Sequence, residues 1–338
     1  MTRRRPPPAP RPAARTARSA RSARSGLPAL ASAALGAVAL LILAWPSDAQ
    51  AWAPLAHLNF SAQALASLGP VPGSLRSLLT DFADEFLYGS LAADIVVGKN
   101  LARFKDHCHN WRVGFNVLDE ARPGAEKAFA WGYLAHLAAD TVAHNYYVPW
   151  KTVSSFHKLR TKHAYWELRY DQRLDPGLSR LARQVTGAAT RYHDAFLGRH
   201  LRRSSVLPFQ ASRQLFGAMV LSAKVGRFQH LSRLALARTR RLPLEDDLVE
   251  ETNEQAVLAI LGLLVEGRRC EAATADATGE RNLHMAEKLR AALRAGVRRG
   301  RITSAEAHEM VGESRDAFRR AIHGTLVLPP RVARLAAG

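Results

Sequence analysis

The chain has 338 residues, 47% of them hydrophobic and 7% aromatic, enough for one large core or two small ones. Ala, Leu and Arg dominate and β-branched residues do not cluster, so the composition points to an all-α fold; there is no repeat of solenoid period. The formal charge is +19, yet residues 1 to 51 hold eight arginines and one acid, Asp48, so the remaining 40 basic and 28 acidic residues leave +12. Basic residues do not alternate with aromatic ones, which argues against a base-stacking nucleic-acid binder.

Residues 2 to 25 form an Arg-, Pro-, Ala- and Ser-rich leader that does not fold alone. An apolar run from Leu27 to Ala44 follows, broken by Trp45-Pro46-Ser47-Asp48 and closed by Ala49-Gln50-Ala51. A basic segment, an apolar segment and an A-x-A site describe a secretory signal peptide, so the expectation is a secreted or periplasmic protein. An uncleaved membrane anchor is the alternative. Cleavage after Ala51 would leave a free α-amine on Trp52, which, deprotonated, ligates a metal together with its own carbonyl oxygen. His57 follows five residues later.

The first helix is expected over 58–68, ending before the loop marked by Pro70, Pro72 and Gly73. A second, over 74–97, carries Asp94 in the apolar stretch LAADIVV. A loop with DHCHNW supplies His107 and His109. The main helix starts after Gly124 and ends near Pro149, and another is expected over 156–174. Further helices are expected at 178–200, 209–224, 226–239 and 246–266. One from Gly279 to about Gly300 comes next, then a last one to about His323 with Thr303 and Glu306 as a capping box. Pro329-Pro330 is read as the start of an unstructured end. The domain division is 1–51 leader and signal peptide, 52–266 helical domain, and 267–338 a helical extension. Cys108 and Cys270 could form one long-range disulfide in an oxidising compartment, or stay as buried thiols.

The chemistry lies in two stretches. WGYLAHLAADTVAHNYY places His136, Asp140 and His144 four residues apart among small and apolar neighbours. Each four-residue step advances about 40° past a full helical turn, so the three make one narrow polar stripe. Burying such a stripe is costly unless its members share a strong partner, and a metal ion is one. KHAYWELRYD repeats the cadence with His163, Glu167 and Asp171. Two such stripes suggest one polar centre between helices. Asp171 is either a group that holds a ligand histidine in its tautomer or a surface acid.

In order, Trp52, His57, Asp94, His109, His136, Asp140, His144, His163 and Glu167 resemble the ligand series of the zinc-dependent phospholipase C family. The helical domain of glycosylphosphatidylinositol phospholipase D and, more distantly, the fungal single-strand nucleases are its relatives. The resemblance covers roughly residues 52–171 and implies a multi-helix bundle with up to three zinc ions. Asp94, His109, His136 and Asp140 would hold the first; His144, His163 and Glu167 the second; Trp52 and His57 the third, with Asp140 bridging it to the first. His109 is preferred to His107 because Trp111 follows closely. The four-residue spacing from Asp140 to His144 looks closer to the phospholipase D type than to the secreted bacillus-type enzymes, and no acidic residues for a choline head group are identifiable.

The implied activity is phosphodiester hydrolysis, phospholipase C-like, by a zinc-bound hydroxide, with Asp94 orienting or deprotonating the water. The implied partners are a phospholipid or other phosphodiester and an anionic membrane surface; no protein partner is inferable. Alternatives on the same core are a single-strand nuclease or nucleotidase, for which nucleic acid would be the partner, and a non-catalytic zinc-binding envelope protein.

Overall fold

The computed structural model describes residues 54–96, 107–158, 163–187, 190–201, 208–222 and 244–337. Among them every regular element is a helix, so the chain is all-α. None of these helices is long and apolar enough to cross a membrane.

The helix at the centre is Ala125–Val142, and the others are best placed around it. In chain order they are α1 (Pro54–Ala66), α2 (Gly73–Asp81), α3 (Ala83–Ala92), α4 (Trp111–Glu120), α5 (Ala125–Val142), α6 (Val148–Ser154), α7 (His163–Asp171), α8 (Leu178–Gly187), α9 (Thr190–His200), α10 (Phe209–Ser222), α11 (Asp246–Glu266), α12 (Glu280–Arg298), α13 (Ser304–Arg320) and α14 (Pro330–Ala337). From Ala128 onward α5 is buried on almost every side, as expected of a helix apolar all round. It packs against α3, α11, α4 and α1.

The α3–α5 crossing brings backbone against backbone. A Cβ on Gly89 would overlap the Phe129 carbonyl, and one on Gly132 would overlap the Phe86 carbonyl. Two facing glycines therefore set the distance at which α3 delivers its C-terminal end to α5.

Several expected boundaries move. The helix over 74–97 is two helices broken at Phe82, whose backbone leaves the helical region. The reason is burial: α2 buries only Leu79, whereas α3 buries Phe86 to Ala92 without a gap, so one straight helix cannot serve both environments. After Val142 the main helix widens into a π-helical turn, Ala143–Tyr147, before α6 resumes with Pro149 in its first turn. The expected helix over 156–174 is a turn at 155–158 and then α7. The helix over 178–200 appears as α8 and α9, and the one over 226–239 lies outside the described residues.

The chain end is not unstructured. Residues Pro330–Ala337 form α14, which buries Val332 and packs on α12. Proline suits the first helical position, and PRVARLAA has its apolar residues on one side. The capping box is present: Thr303 Oγ1 accepts the Glu306 N–H at 3.1 Å while a Glu306 carboxylate oxygen accepts the Thr303 N–H at 2.7 Å. Cys108 and Cys270 are both buried free thiols.

Candidate metal centre

Five of the expected ligands come together from four segments. His57 lies in α1, Asp94 in the 3-10 turn after α3, His109 just before α4, and His136 and Asp140 on α5. All but Asp94 are buried; the Asp94 side chain keeps 12% of its surface exposed.

Asp140 is the centre of the group. Its Oδ1 lies 3.4 Å from His57 Nε2. Its Oδ2 lies 2.9 Å from His109 Nδ1 and 3.2 Å from His136 Nε2. Asp94 Oδ1 lies 3.3 Å from His109 Nε2 and 3.9 Å from His136 Nε2. His57 and His136 stack, with centroids 3.7 Å apart and planes 16° from parallel. Two sets of donor atoms are compact enough for one cation each: His57, Asp94 and His136; and His109, His136 and Asp140.

These contacts are close but poorly formed as hydrogen bonds. Among the described residues, both Asp140 oxygens, both His57 nitrogens and His136 Nε2 are buried without a hydrogen bond of adequate geometry. Native interiors rarely leave so many polar atoms unmatched in one place. Two ligands of a tetrahedral zinc, each about 2.0–2.2 Å from the metal, sit about 3.3–3.4 Å from one another. The separations of 3.3 and 3.4 Å match that value better than a hydrogen bond, while His109 Nδ1 and Asp140 Oδ2, 2.9 Å apart, are at hydrogen-bond length. A mixed nitrogen and oxygen donor set also suits zinc rather than magnesium or calcium. The residues present therefore fit the metal.

The electrostatics agree. Burial alone would push the Asp140 carboxyl up, but His136, His144 and His109 together hold it well below the usual carboxylate range. Burial, then the neighbouring His136, lowers His57 to about 4, so His57 is neutral and keeps a lone pair. His136 Nδ1 faces the Ser90 carbonyl oxygen at 2.8 Å. A carbonyl only accepts, so Nδ1 carries the proton and Nε2 is left to face the cluster.

The other expected ligands stand apart. His144, in the π-helical turn, turns its Nε2 to Glu167 Oε1 at 3.6 Å; burial pulls its pKa down, but the Asp140 charge, Glu167 and the Ala277 carbonyl outweigh that and leave it raised. His163 begins α7, but its side chain, like all of Trp52, lies outside the described residues. His109 rather than His107 reaches the cluster; His107 Nδ1 instead accepts the backbone N–H of His109 at 3.1 Å.

Asp171 takes neither of its two expected roles. Its Oδ1 accepts the Ala56 N–H at 3.0 Å, so it caps the start of α1 from the end of α7. Burial of its carboxyl pushes the pKa up to about 8, against the pull of the Leu55 and Ala56 N–H groups. Sequence reasoning also missed the Ser90 and Ala277 carbonyls, which fix the two histidine rings. A backbone carbonyl has no side-chain signature, so no sequence signal could have found either.

Residues 56–202 match the family model described as zinc dependent phospholipase C. No curated protein and no solved structure matches the chain. The matched stretch contains every residue of the buried cluster, together with the His144–Glu167 pair. Over these residues the chain is similar to the zinc-dependent phospholipase C family.

Proposed function

We propose that the protein is a zinc-dependent phosphodiester hydrolase acting on phospholipids in the manner of a phospholipase C. The observation that carries this reading is Asp140, a fully buried carboxylate whose two oxygens face different histidines: His57 on one side, His109 and His136 on the other. A carboxylate so placed has an oxygen for each of two cations. His57, Asp94, His109, His136 and Asp140 would hold one zinc pair, completed by the Trp52 amine, and His144, His163 and Glu167 a third ion. Zinc bound there supplies Lewis acidity, which acidifies water and offsets charge on the phosphoryl oxygens.

The protein's own groups do the rest. Asp94 keeps solvent access while Asp140 has none, so Asp94 is the carboxylate placed to orient a water and take its proton. The Ser90 carbonyl keeps the His136 proton on Nδ1, out of the cluster. Export through the leader, with cleavage before Trp52, belongs to the same reading, and N-terminal sequencing of exported protein tests it.

The decisive experiment is an assay of the zinc-loaded mature chain against phospholipids of several head groups, inositol phospholipids and single-stranded DNA. Release of a phosphorylated head group, abolished by a chelator and restored by zinc, is the expected result. Cleavage of DNA alone would replace phospholipase by nuclease, and a mature chain that binds no zinc would remove both.

A further inference from the structure

We propose that Ala275–Asn282, which lies outside the family-matched stretch, is a positioning element of the metal centre: its Ala277 carbonyl holds His144 with the proton on Nδ1 and Nε2 turned to Glu167, and Gly279 permits the approach. This rests on the reading of His144 and Glu167 as zinc ligands.

Three consecutive backbone carbonyls of this segment face the matched stretch, and each receives a side-chain nitrogen from it. Ala275 O accepts from Trp111 Nε1 at 3.0 Å, Asp276 O from Asn145 Nδ2 at 2.9 Å, and Ala277 O lies 2.6 Å from His144 Nδ1. Trp111 stands two residues after His109 and Asn145 one after His144, so two stretches of ligands are braced by one segment. Asn145 is buried and bound on both sides: its Nδ2 also donates to Thr141 O at 2.9 Å, and its Oδ1 accepts from Asn282 Nδ2 at 2.7 Å. Within the segment Asp276 Oδ1 accepts the Thr278 N–H at 3.0 Å and holds the turn.

Gly279 is where the segment touches the π-helical turn most closely. Its φ is +57°, in the left-handed region, and a Cβ there would overlap the Cβ and carbonyl of His144. His136 needs no such outside support. It sits in regular α-helix, and its Nδ1 is fixed by Ser90 from within the matched stretch. His144 sits where the helix has widened, and its ring is fixed by a chain segment 133 residues away. Metal-ligating histidines depend on such partners, whose loss costs roughly 10–100-fold in metal affinity.

The test uses the full mature chain with 15N-labelled histidine. In the metal-free protein at alkaline pH, where the rings are neutral, nitrogen NMR reads the tautomer of each ring; titration with zinc then reads affinity. Wild type should show His144 with the proton on Nδ1. Gly279→Ala should lose that tautomer and bind the His144–Glu167 zinc roughly 10–100-fold more weakly, leaving the His136 signals unchanged. Asn282→Ala, which only loosens Asn145, should shift both readouts in the same direction and serves in place of Gly279→Ala if that variant does not fold. A segment that merely packs would lower the melting temperature without moving either readout. The proposal is overturned by wild-type His144 protonated on Nε2, or by a folded variant with unchanged tautomer and zinc affinity. Glu167→Gln separates the two readings. Unchanged zinc content there overturns the ligand reading and this proposal with it. Zinc lost in Glu167→Gln but kept in Gly279→Ala and Asn282→Ala overturns this proposal alone.

Discussion

His57 and His136 lie face to face in the core, 3.7 Å between centroids, and the Nε2 of each is buried without a hydrogen-bond partner among the described residues. Two stacked imidazoles tolerate each other while both are neutral. Burial, and then His136 against its face, disfavour a cation on His57, which lowers its pKa to about 4.

A pH dependence of stability follows for the metal-free protein. In the unfolded chain His57 takes up its proton near pH 6.5, but in the folded chain only near 4. The unfolded state therefore binds the extra proton first, and stability is lost as pH falls from 6.5 towards 4, by about 3 kcal/mol at most for this group. Asp140, whose pKa is depressed, contributes only below that window, and His144, whose pKa is raised, above it; Asp171, raised to about 8, acts across the window with the opposite sign, equally in wild type and in a His57 variant, and so cancels in their comparison. Urea denaturation from pH 4 to 7.5 should show His57→Phe losing less stability across the window than wild type. Parallel curves for the two proteins would refute the assignment.

Asp140→Asn should remove the negative charge shared by three histidines. One asparagine oxygen remains as a donor to a cation, and the other position becomes an NH2 group that cannot ligate. The expected outcome is loss of the zinc bound at both faces of Asp140 and abolished hydrolysis, read by metal analysis and the phospholipid assay. Wild-type zinc content in this variant would sink the reading of Asp140 as the shared ligand.

Gly132→Ala tests the helix crossing that places Ser90 beside His136. In an isolated helix the change would stabilise by up to about 1 kcal/mol. Here the new Cβ meets the Phe86 carbonyl, a backbone atom that no rotamer change can move. Overpacking therefore wins, and a net loss of about 1–3 kcal/mol is expected in chemical denaturation. A variant as stable as wild type would mean that α3 and α5 can separate freely.

Thr303→Ala, at the start of α13, provides the contrast. It removes one arm of the capping box and should cost about 1 kcal/mol. Zinc affinity and the His136 and His144 tautomers should remain as in wild type, because Thr303 lies at the head of a helix that carries none of the ligands. A fall in zinc affinity equal to that of a ligand variant would show that binding simply tracks global stability.

Much of the site is legible in the chain because helical ligands leave a periodic mark. The four-residue steps among alanines and leucines announce His136, Asp140 and His144 as one polar stripe, and the same cadence marks Glu167. That periodicity presumes a regular helix, and the helix is regular only as far as Val142. The π-helical turn begins at Ala143; His144 faces Glu167, as the resemblance implied, while His136 and Asp140 face His57 and His109. The break at Phe82 and the terminal helix α14 were missed for a related reason, since both depend on what the flanking segments bury.

By itself the sequence determined the helical class, the candidate metal-donor residues and the stripe on α5, because each rests on residue type and local spacing. Tertiary structure alone decided which donors meet. It stacked His57 on His136, turned Asp171 into a cap for α1, and brought the Ser90 and Ala277 carbonyls to the two rings. Those choices depend on contacts between segments distant in the chain. The largest span is 133 residues, from His144 to Ala277, and no local pattern encodes such a meeting.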